Sequence, residues 1–358
     1  MDCMAVCKCK DPDDCDVVCP AAPKRYVRRV IEVKGFELSN VPISRALHLP
    51  KLPEVVMLVE GNAVKDGISK VLHHVAVPLS MAIAEAGQLT RAKTRKELEK
   101  TFGLAPKDGW ILTGVERDSY VERMWRLHSP RKVYEGLRKA GAVFATTPNF
   151  STIADVPRPD NLHAMKRIAW AWHDMTEAGL PTALHINGRT DYDFVRWADF
   201  AKRQVNLRAV AFEFLTGAEP KEDGLRYVER LKLFVKESGR DDLLLVLRGG
   251  QQWLPALRPY FSGVLLIDSG PYFKTVHRQR TDIASDGRPQ YKSHRTRSAP
   301  EMRALFHHNV SAKLALHAGI ARAGGPQEPE FSFDAPIEPL RPLPTDATPD
   351  TSQLTLPF

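Results

Sequence analysis

Residues 182–214 read TALHINGRTDYDFVRWADFAKRQVNLRAVAFEF, and this stretch decides the fold. Two short apolar runs, Thr182–Ile186 and Ala209–Phe214, have the composition of buried strands. Between them, Asp191–Lys202 has the pattern of a helix, and Thr190 is a good capping residue in front of it. A strand, a helix and a second strand in this order predict a parallel βαβ unit.

The same alternation recurs along the chain. Further strands are predicted at Val55–Val59, Trp110–Thr113, Ala142–Thr147, Leu243–Leu247 and Val264–Ile267. Further helices are predicted at Asp66–Ala86, Arg91–Thr101, Pro130–Lys139, Asn161–Ala178, Asp223–Ser238, Gln252–Phe261 and Pro300–Ala321. Seven such units, with an eighth strand either at Arg29–Val33 or at a place where the pattern does not reveal it, predict an α/β fold. The expected type is a (β/α)8-like barrel, closed or imperfect. An open doubly wound sheet is the alternative, although no G-x-G-x-x-G follows a strand.

Length and composition suit one large α/β domain with appendages. The chain has 358 residues, 43% of them hydrophobic, and no apolar run long enough to span a membrane. The start, MDCMAVCKCK, does not resemble a secretory signal, so we expect a cytoplasmic protein. The expected parts are a Cys-rich leader (1–22), the barrel-like domain (23–322) and a Pro-rich disordered tail (323–358).

Charge is distributed unevenly. The net charge is +8, yet the tail contains one base, Arg341, against the acids Glu328, Glu330, Asp334, Glu338, Asp346 and Asp350. The rest of the chain is therefore more basic than the whole. This pattern indicates a polyanionic partner such as DNA, or serves solubility alone.

All the cysteines lie in the leader, at Cys3, Cys7, Cys9, Cys15 and Cys19. Their odd number and the missing secretory signal argue against a disulfide framework. Four of these thiolates could surround one zinc ion or hold an iron–sulfur cluster. The alternative is a reduced, disordered leader.

Polar residues follow the predicted strands at their carboxyl ends, where both candidate folds place the active site. Glu60, Glu116 and His185 belong to this group. The candidate substrate-binding residues are Asn149, Asn187, Arg189, Arg248, Gly249, Gly250, Gln251 and Lys274.

Three carboxylates are the candidate catalytic residues. Asp268 follows an apolar strand and is the candidate nucleophile, and Glu213 lies between two phenylalanines, an apolar setting that suits an acid or base. Asp155 lies in a loop that could close over a substrate. Paired carboxylates suit glycosidic-bond or base-exchange chemistry.

Residues 274–297 are basic and contain an aromatic side chain, Tyr291, that could stack on a base. The candidate nucleic-acid contacts are Arg278, Arg280, Arg288, Lys292, Arg295 and Arg297. The alternative is a solvated loop. By contrast, Trp170, Trp172 and Trp197 fall in helical patterns and are expected to pack.

The chain ends Gln353-Leu-Thr-Leu-Pro-Phe358, which resembles the bacterial sliding-clamp-binding peptide Q-L-x-L-x-F. The resemblance implies that Gln353 enters a polar pocket of the clamp, and that Leu354, Leu356 and Phe358 fill a hydrophobic groove. A short docking peptide on an extended tether is the usual context for such recognition. The resemblance therefore implies a protein of a bacterium or of a phage-infected host.

Two further resemblances concern the barrel. The run from Asp118 to Phe200 resembles a domain-of-unknown-function family of phages and mobile elements, which carries no established activity. The matching stretches are Trp125–Pro130, Pro148–Ser151 and Asp155–Pro157. Gly249-Gly-Gln251 and Asp268-Ser-Gly-Pro-Tyr272 are faintly similar to parts of the tRNA-guanine transglycosylase superfamily, whose members include DNA-acting (deaza)guanine enzymes. That family's nucleophile motif stands early and its zinc cysteines late in the chain, unlike the order here.

These observations predict a DNA-associated enzyme, recruited through the sliding clamp, that modifies or exchanges a base in a transglycosylase-like reaction. Asp268 would be the nucleophile, and Glu213 or Asp155 the acid or base. The alternatives are a noncatalytic clamp-recruited DNA-binding factor and a small-molecule barrel enzyme.

Overall fold

Eight parallel strands close into a barrel in the computed structural model, which describes residues 23–61, 63–64, 68, 72–83, 95–105, 109–127, 130–153, 156–214, 221–285 and 287–322. The strands are β1 (Val55–Leu58), β2 (His74–Pro78), β3 (Gly109–Thr113), β4 (Ala142–Thr146), β5 (Thr182–His185), β6 (Ala209–Glu213), β7 (Leu244–Arg248) and β8 (Gly263–Asp268). Each pairs with the next, and β8 pairs with β1 through Val56↔Ile267. The (β/α)8 barrel is confirmed, and the open sheet is excluded.

Helices form the outer layer of the barrel. They are α1 (Pro23–Val33), α2 (Leu79–Ala82), α3 (Arg95–Phe102), α4 (Asp118–Trp125), α5 (Pro130–Lys139), α6 (Arg158–Glu177), α7 (Asp191–Arg203), α8 (Lys221–Ser238), α9 (Leu254–Leu257), α10 (Gly270–Val276) and α11 (Ala299–Arg322). Thr190 and Asp193 form the capping box that begins α7, with Thr190 Oγ1 accepting from the Asp193 amide. None of the helices in the described residues is long and apolar enough to cross a membrane.

The hidden eighth strand is β2, inside the stretch predicted as a helix at Asp66–Ala86. Val75, Ala76 and Val77 are all fully buried, because a barrel strand is covered by the core on one face and by helices on the other. A continuous apolar run of this kind lacks the alternation that marks a half-buried strand, so the prediction was wrong here.

The other proposed strand, Arg29–Val33, lies within helix α1. Tyr26, Val30 and Val33 recur at helical spacing and pack against the core, so the periodicity is that of an amphipathic helix.

The predicted helix Gln252–Phe261 is also broken. A 3-10 turn (Gln251–Trp253), α9 and a second 3-10 turn (Arg258–Tyr260) replace it. Pro255 and Pro259 provide no backbone N–H, and this loss accounts for the interruption of the helical hydrogen bonds.

The barrel interior is a separate apolar cluster. It consists of Val56, Leu58, Ala76, Ile111, Phe144, Ala183, Ala209, Ala211, Val246, Leu265 and Ile267. Leu49 and Leu52, which precede β1, pack against this cluster from the amino end of the barrel. Strand residues of the opposite parity face the helices, where Trp172 and Trp197 are buried as expected.

After β8 the chain leaves the barrel through α10 and forms an antiparallel hairpin of β9 (Gln279–Ile283) and β10 (Pro289–Ser293). Helix α11 then packs against α10 and β9 and reaches β1. This final helix brings its polar side chains close to the end of β8.

Candidate active site at the carboxyl end of the barrel

Alternation along three neighbouring strands turns polar side chains toward the barrel axis. Ala183, Ala211 and Val246 point inward, so His185, Glu213 and Arg248, each two residues further on, also point inward. Glu213 and Arg248 are register partners on β6 and β7. The sequence predicted Glu213 as a catalytic residue and Arg248 as a substrate-binding residue, and it placed His185 among the polar residues at the strand ends.

The positive charge of Arg248 lies among carboxylates at the carboxyl end of the barrel. Its side chain is 14% exposed, with Nη2 3.7 Å from Glu60 Oε1, and Nη1 donates to the carbonyl of Val115. Burial lowers the pKa of Arg248, and the carboxylates of Glu60, Glu213 and Glu116 oppose that shift. The guanidinium therefore stays charged among three acidic side chains.

Two buried polar atoms at this end have no hydrogen-bond partner among the described residues. They are Arg248 Nε and Thr113 Oγ1, and Thr113 points inward like Ile111 two residues earlier. Buried polar atoms in proteins nearly always have a partner. A donor and a hydroxyl left open at one barrel end are suited to oxygen atoms of a bound molecule.

Glu116 is held by a residue that the sequence did not nominate. Ser80 Oγ donates to Glu116 Oε2 at 2.5 Å, and the Ser80 amide lies 3.4 Å from the same oxygen. Ser80 lies two residues after β2, in the short helix α2. Because β2 was predicted as a helix, the place of Ser80 at the barrel end could not be recognised.

His185 is buried, and one nitrogen of its imidazole is hydrogen-bonded to the backbone. Nδ1 lies 2.7 Å from the Thr147 carbonyl, so Nδ1 carries the proton and donates it. Burial, together with the charge of Arg248, lowers the pKa of His185 to about 4, although the bond to the Thr147 carbonyl opposes both effects. At neutral pH the ring is uncharged and Nε2 is an acceptor, without a partner in the described part of the chain.

Three nominated residues order the loops instead. Asn187 Nδ2 donates to Asn149 Oδ1 and to the Phe150 carbonyl, both at 3.1 Å. Arg189 donates through Nε to the Thr152 carbonyl at 2.8 Å and through Nη1 to the Tyr227 hydroxyl at 3.0 Å. These bonds tie the loop after β4 to the loop after β5.

Gly249 and Gly250 form the turn after β7, with φ values of +73° and +68°. A Cβ on Gly250 would lie 2.4 Å from Cδ2 of Phe214, the residue after β6. The glycines thus allow a left-handed turn against an aromatic ring. This close approach explains Gly250 by packing within the protein.

Asp268, the candidate nucleophile, lies on the outer side of the barrel wall, whereas Glu213 faces the barrel axis. Asp268 shares the parity of Leu266, which faces the helices. Its Oδ2 is 2.8 Å from Lys313 Nζ on α11, and its Oδ1 accepts from the Gly270 amide at 2.7 Å. Lys313 also donates to Gln251 Oε1 at 2.5 Å, so this nominated glutamine is engaged there too.

The electrostatics of Asp268 agree with a structural carboxylate. Burial alone would raise its pKa, but His317 and Lys313 outweigh burial and hold the pKa at about 2. His317 Nε2 lies 3.6 Å from Oδ2, too far for a strong hydrogen bond, so Lys313 is the principal partner. The sequence did not predict Lys313 or His317 as partners of Asp268, because no local sequence pattern indicates a contact between residues about fifty positions apart.

The basic segment forms the β9–β10 hairpin. Asp282 pairs with Arg280 at 2.8 Å and with Lys292 at 3.3 Å. Lys274 Nζ lies 3.8 Å from the centre of the Tyr291 ring, so Lys274 belongs to this hairpin surface. The exposed candidate contacts are Arg278, Arg280, Arg288, Lys292, Arg295 and Arg297.

Several nominated residues lie outside the described residues: Asp155, the cysteines Cys3, Cys7, Cys9, Cys15 and Cys19, and the tail residues Gln353, Leu354, Leu356 and Phe358. Within the described ranges, no group of three His, Cys, Asp or Glu side chains is arranged to hold a metal ion.

No protein-family model and no curated protein sequence matches this chain. Among solved structures, a Coccidioides immitis protein provisionally assigned as a fructose-1,6-biphosphate aldolase aligns with a TM-score of 0.43 and 8% identity, over 82% of this chain and 94% of that one. A second Coccidioides immitis protein, provisionally assigned to the dihydrodipicolinate synthase family, aligns with a TM-score of 0.37 and 12% identity, over 78% and 81% of the two chains. Likenesses at this level carry no functional conclusion.

Proposed function

We propose that the chain is an enzyme that performs acid–base chemistry on a small polar molecule at the carboxyl end of its barrel. The observation that carries the proposal is the buried Arg248 among Glu60, Glu116 and Glu213, next to a neutral His185 on the same inner face. Oppositely charged groups gathered in a cleft or barrel mouth are typical of functional sites.

The inner groups divide into two roles. Glu213 and the Nε2 lone pair of His185 are proton acceptors, and a protonated Glu213 can return the proton. The Arg248 Nε–H and the Thr113 hydroxyl, which have no partner among the described residues, would donate to substrate oxygens. Because three carboxylates surround one guanidinium, we expect a neutral or cationic substrate with a carbonyl or hydroxyl group, such as a polyol or an amino compound.

The transglycosylase-like base exchange is less well supported. That reaction needs a carboxylate nucleophile facing the substrate, and Asp268 is bound by Lys313 on the outer side of the wall. Of the earlier alternatives, the small-molecule barrel enzyme fits the inner face best.

The test begins with a ligand screen. The full chain is screened by thermal shift against small neutral and cationic carbonyl compounds, polyols and amines, and hits are measured by calorimetry and tested for turnover by mass spectrometry. We expect Arg248→Met and Glu213→Gln to weaken binding or slow turnover by about a hundredfold. Lys236→Gln, an exposed change on α8, is the matched control. Hits that bind equally well to both site variants would refute the proposal.

A second candidate, contact with single-stranded nucleic acid, is favoured by the hairpin surface. Tyr291 is 49% exposed under Lys274, and Phe273 is 52% exposed and stacked on His277 at 4.1 Å between ring centres. Arg295 and Arg297, which follow β10, are also exposed. Exposed rings among cations suit unstacked bases and phosphates.

The hairpin is tested by the salt dependence of binding to a fluorescent oligonucleotide. We expect Arg295→Gln with Arg297→Gln to weaken binding and to reduce the slope of log K against log salt by about one to two units. Tyr291→Ala should weaken binding to single strands more than to duplexes. Equal binding by these variants and by Lys236→Gln would remove the candidate.

A further inference from the structure

We infer that a cleft in the helical layer binds a planar aromatic ring that carries a phosphate, the chemistry of a nucleoside monophosphate. The cleft has a volume of about 570 Å³ and lies between the end of α1, α4, α5 and α6. Trp125 and Trp170 are both in its lining. The inference does not depend on the proposed reaction.

The two indoles are fixed in position by their N–H groups. Trp125 Nε1 donates to Glu32 Oε1, and Trp170 Nε1 donates to the Val33 carbonyl at 3.1 Å. Both acceptors belong to the last turn of α1. Because the polar edges are already bonded, what the half-buried rings offer to a ligand is their apolar surface, which suits stacking.

The charges of the cleft favour an anion. Three basic residues line it against two acidic ones. Asp174 pairs with Arg131 at 2.8 Å, and Glu32 is hydrogen-bonded by His163 at 2.9 Å. Lys34 and Lys132 are exposed, and neither has an ion pair with another described residue. Lys34 Nζ lies over the Trp170 ring, 5.6 Å from the ring centre, so the ammonium group and the indole surface are adjacent.

Lys34 also occupies an unusual backbone position. Its φ is +61°, directly after helix α1, where glycine is the usual residue. A lysine in the left-handed region has a conformational cost that a glycine would avoid. A role for the ammonium group explains why lysine rather than glycine stands at this position. Because glycine favours the same backbone conformation, Lys34→Gly removes the charge without destabilising the fold.

The experiment titrates the full chain with adenosine monophosphate, followed by tryptophan fluorescence and calorimetry. We expect saturable binding that Lys34→Gly and Lys132→Gln each weaken about tenfold, the size of one charge-assisted hydrogen bond. Lys34→Gly should melt no lower than the parent chain. Lys236→Gln should bind normally.

Adenosine alone and inorganic phosphate alone separate the two halves of the site. Both should bind at least about tenfold more weakly than the monophosphate. Phosphate that competes as well as the monophosphate would overturn the aromatic half of the inference. If Arg248→Met lost binding of the monophosphate and Lys34→Gly kept it, the ligand would lie at the barrel end and the inference would be overturned. Normal binding by Arg248→Met agrees with a site in the cleft, and the proposed enzyme is then tested separately. No saturable binding would also overturn it.

Discussion

The imidazole of His185 is neutral because the interior of the barrel does not solvate a second proton. Its Nδ1–H is bonded to the Thr147 carbonyl, so Nε2 is left as the basic atom. His185→Asn should keep the donor that bonds Thr147 and remove the acceptor. We expect this variant to stay folded and to lose about a hundredfold in turnover of any substrate found at the barrel end. Steady-state kinetics on that substrate check the expectation, and unchanged kcat would contradict it.

Asp268 provides a contrasting residue. Its carboxylate neutralises Lys313 between β8 and α11, so its removal leaves a half-buried ammonium without its main counter-ion. We expect Asp268→Asn to lower the free energy of unfolding by about 3 kcal/mol. Ligand binding at the barrel end should persist.

Urea unfolding and calorimetry on the same preparation separate the two roles of Asp268. A variant that unfolds normally but has lost all activity would restore Asp268 as the nucleophile.

At the scale of elements, the close contact between Gly250 and the Phe214 ring restricts the turn after β7 to glycine. Gly250 combines a φ of +68° with the ring of Phe214 against its Cα hydrogen. Gly250→Ala should lower the free energy of unfolding by about 2–4 kcal/mol, from backbone strain and from displacement of the ring.

Gly239→Ala is the matched control for that change. Gly239 has a similar φ of +64°, and a Cβ there would meet no atom within 4 Å. Gly239→Ala should therefore lower the free energy of unfolding only by the backbone cost, about 1 kcal/mol. Equal losses in the two variants, measured by denaturant unfolding, would show that Phe214 is not the constraint.

The elements also show where local patterns succeed. The strand–helix–strand unit at 182–214 was predicted correctly, because β5, α7 and β6 each carry their own period and caps. Strand β2 was missed because both of its faces are buried. Helix α1 was offered as a strand because Val30, Ile31 and Val33 favour strands in isolation, whereas packing on α6 selects the helix.

At the scale of the whole molecule, buried histidines link folding to pH. Burial lowers the pKa of His185 and of His163 to about 4 each from 6.5, and it also lowers the pKa of His173. Between these values the unfolded chain binds more protons than the folded chain. The free energy of unfolding should therefore fall as the pH drops from 6.5 toward 4, by about 3 kcal/mol from His185 alone.

This acid sensitivity is checked by urea unfolding at several pH values across that window. His185→Asn should flatten part of the slope, and its remaining slope should reflect the other histidines. A free energy of unfolding that is constant from pH 6.5 to pH 4 would contradict the assigned protonation states.

Attachment to a sliding clamp is a separate prediction for the whole chain. Intact protein should bind a bacterial clamp through residues Gln353–Phe358, and a chain ending at Asp350 should not. Surface plasmon resonance with both versions checks this. Equal binding by the shortened chain would contradict a role for the terminal peptide.

Much of the architecture could be read from the order of residues, since each βαβ unit is encoded by local periodicity and caps. The same is true of the general location of a site, because polar residues follow apolar strands. Which of those residues meet could not be read in this way. A step of one residue along β8 turns Asp268 away from the axis, and Ser80, Lys313 and His317 reach their partners only through barrel closure and the docking of α11. Side-chain direction depends on register, and register is settled by packing between elements far apart in the chain.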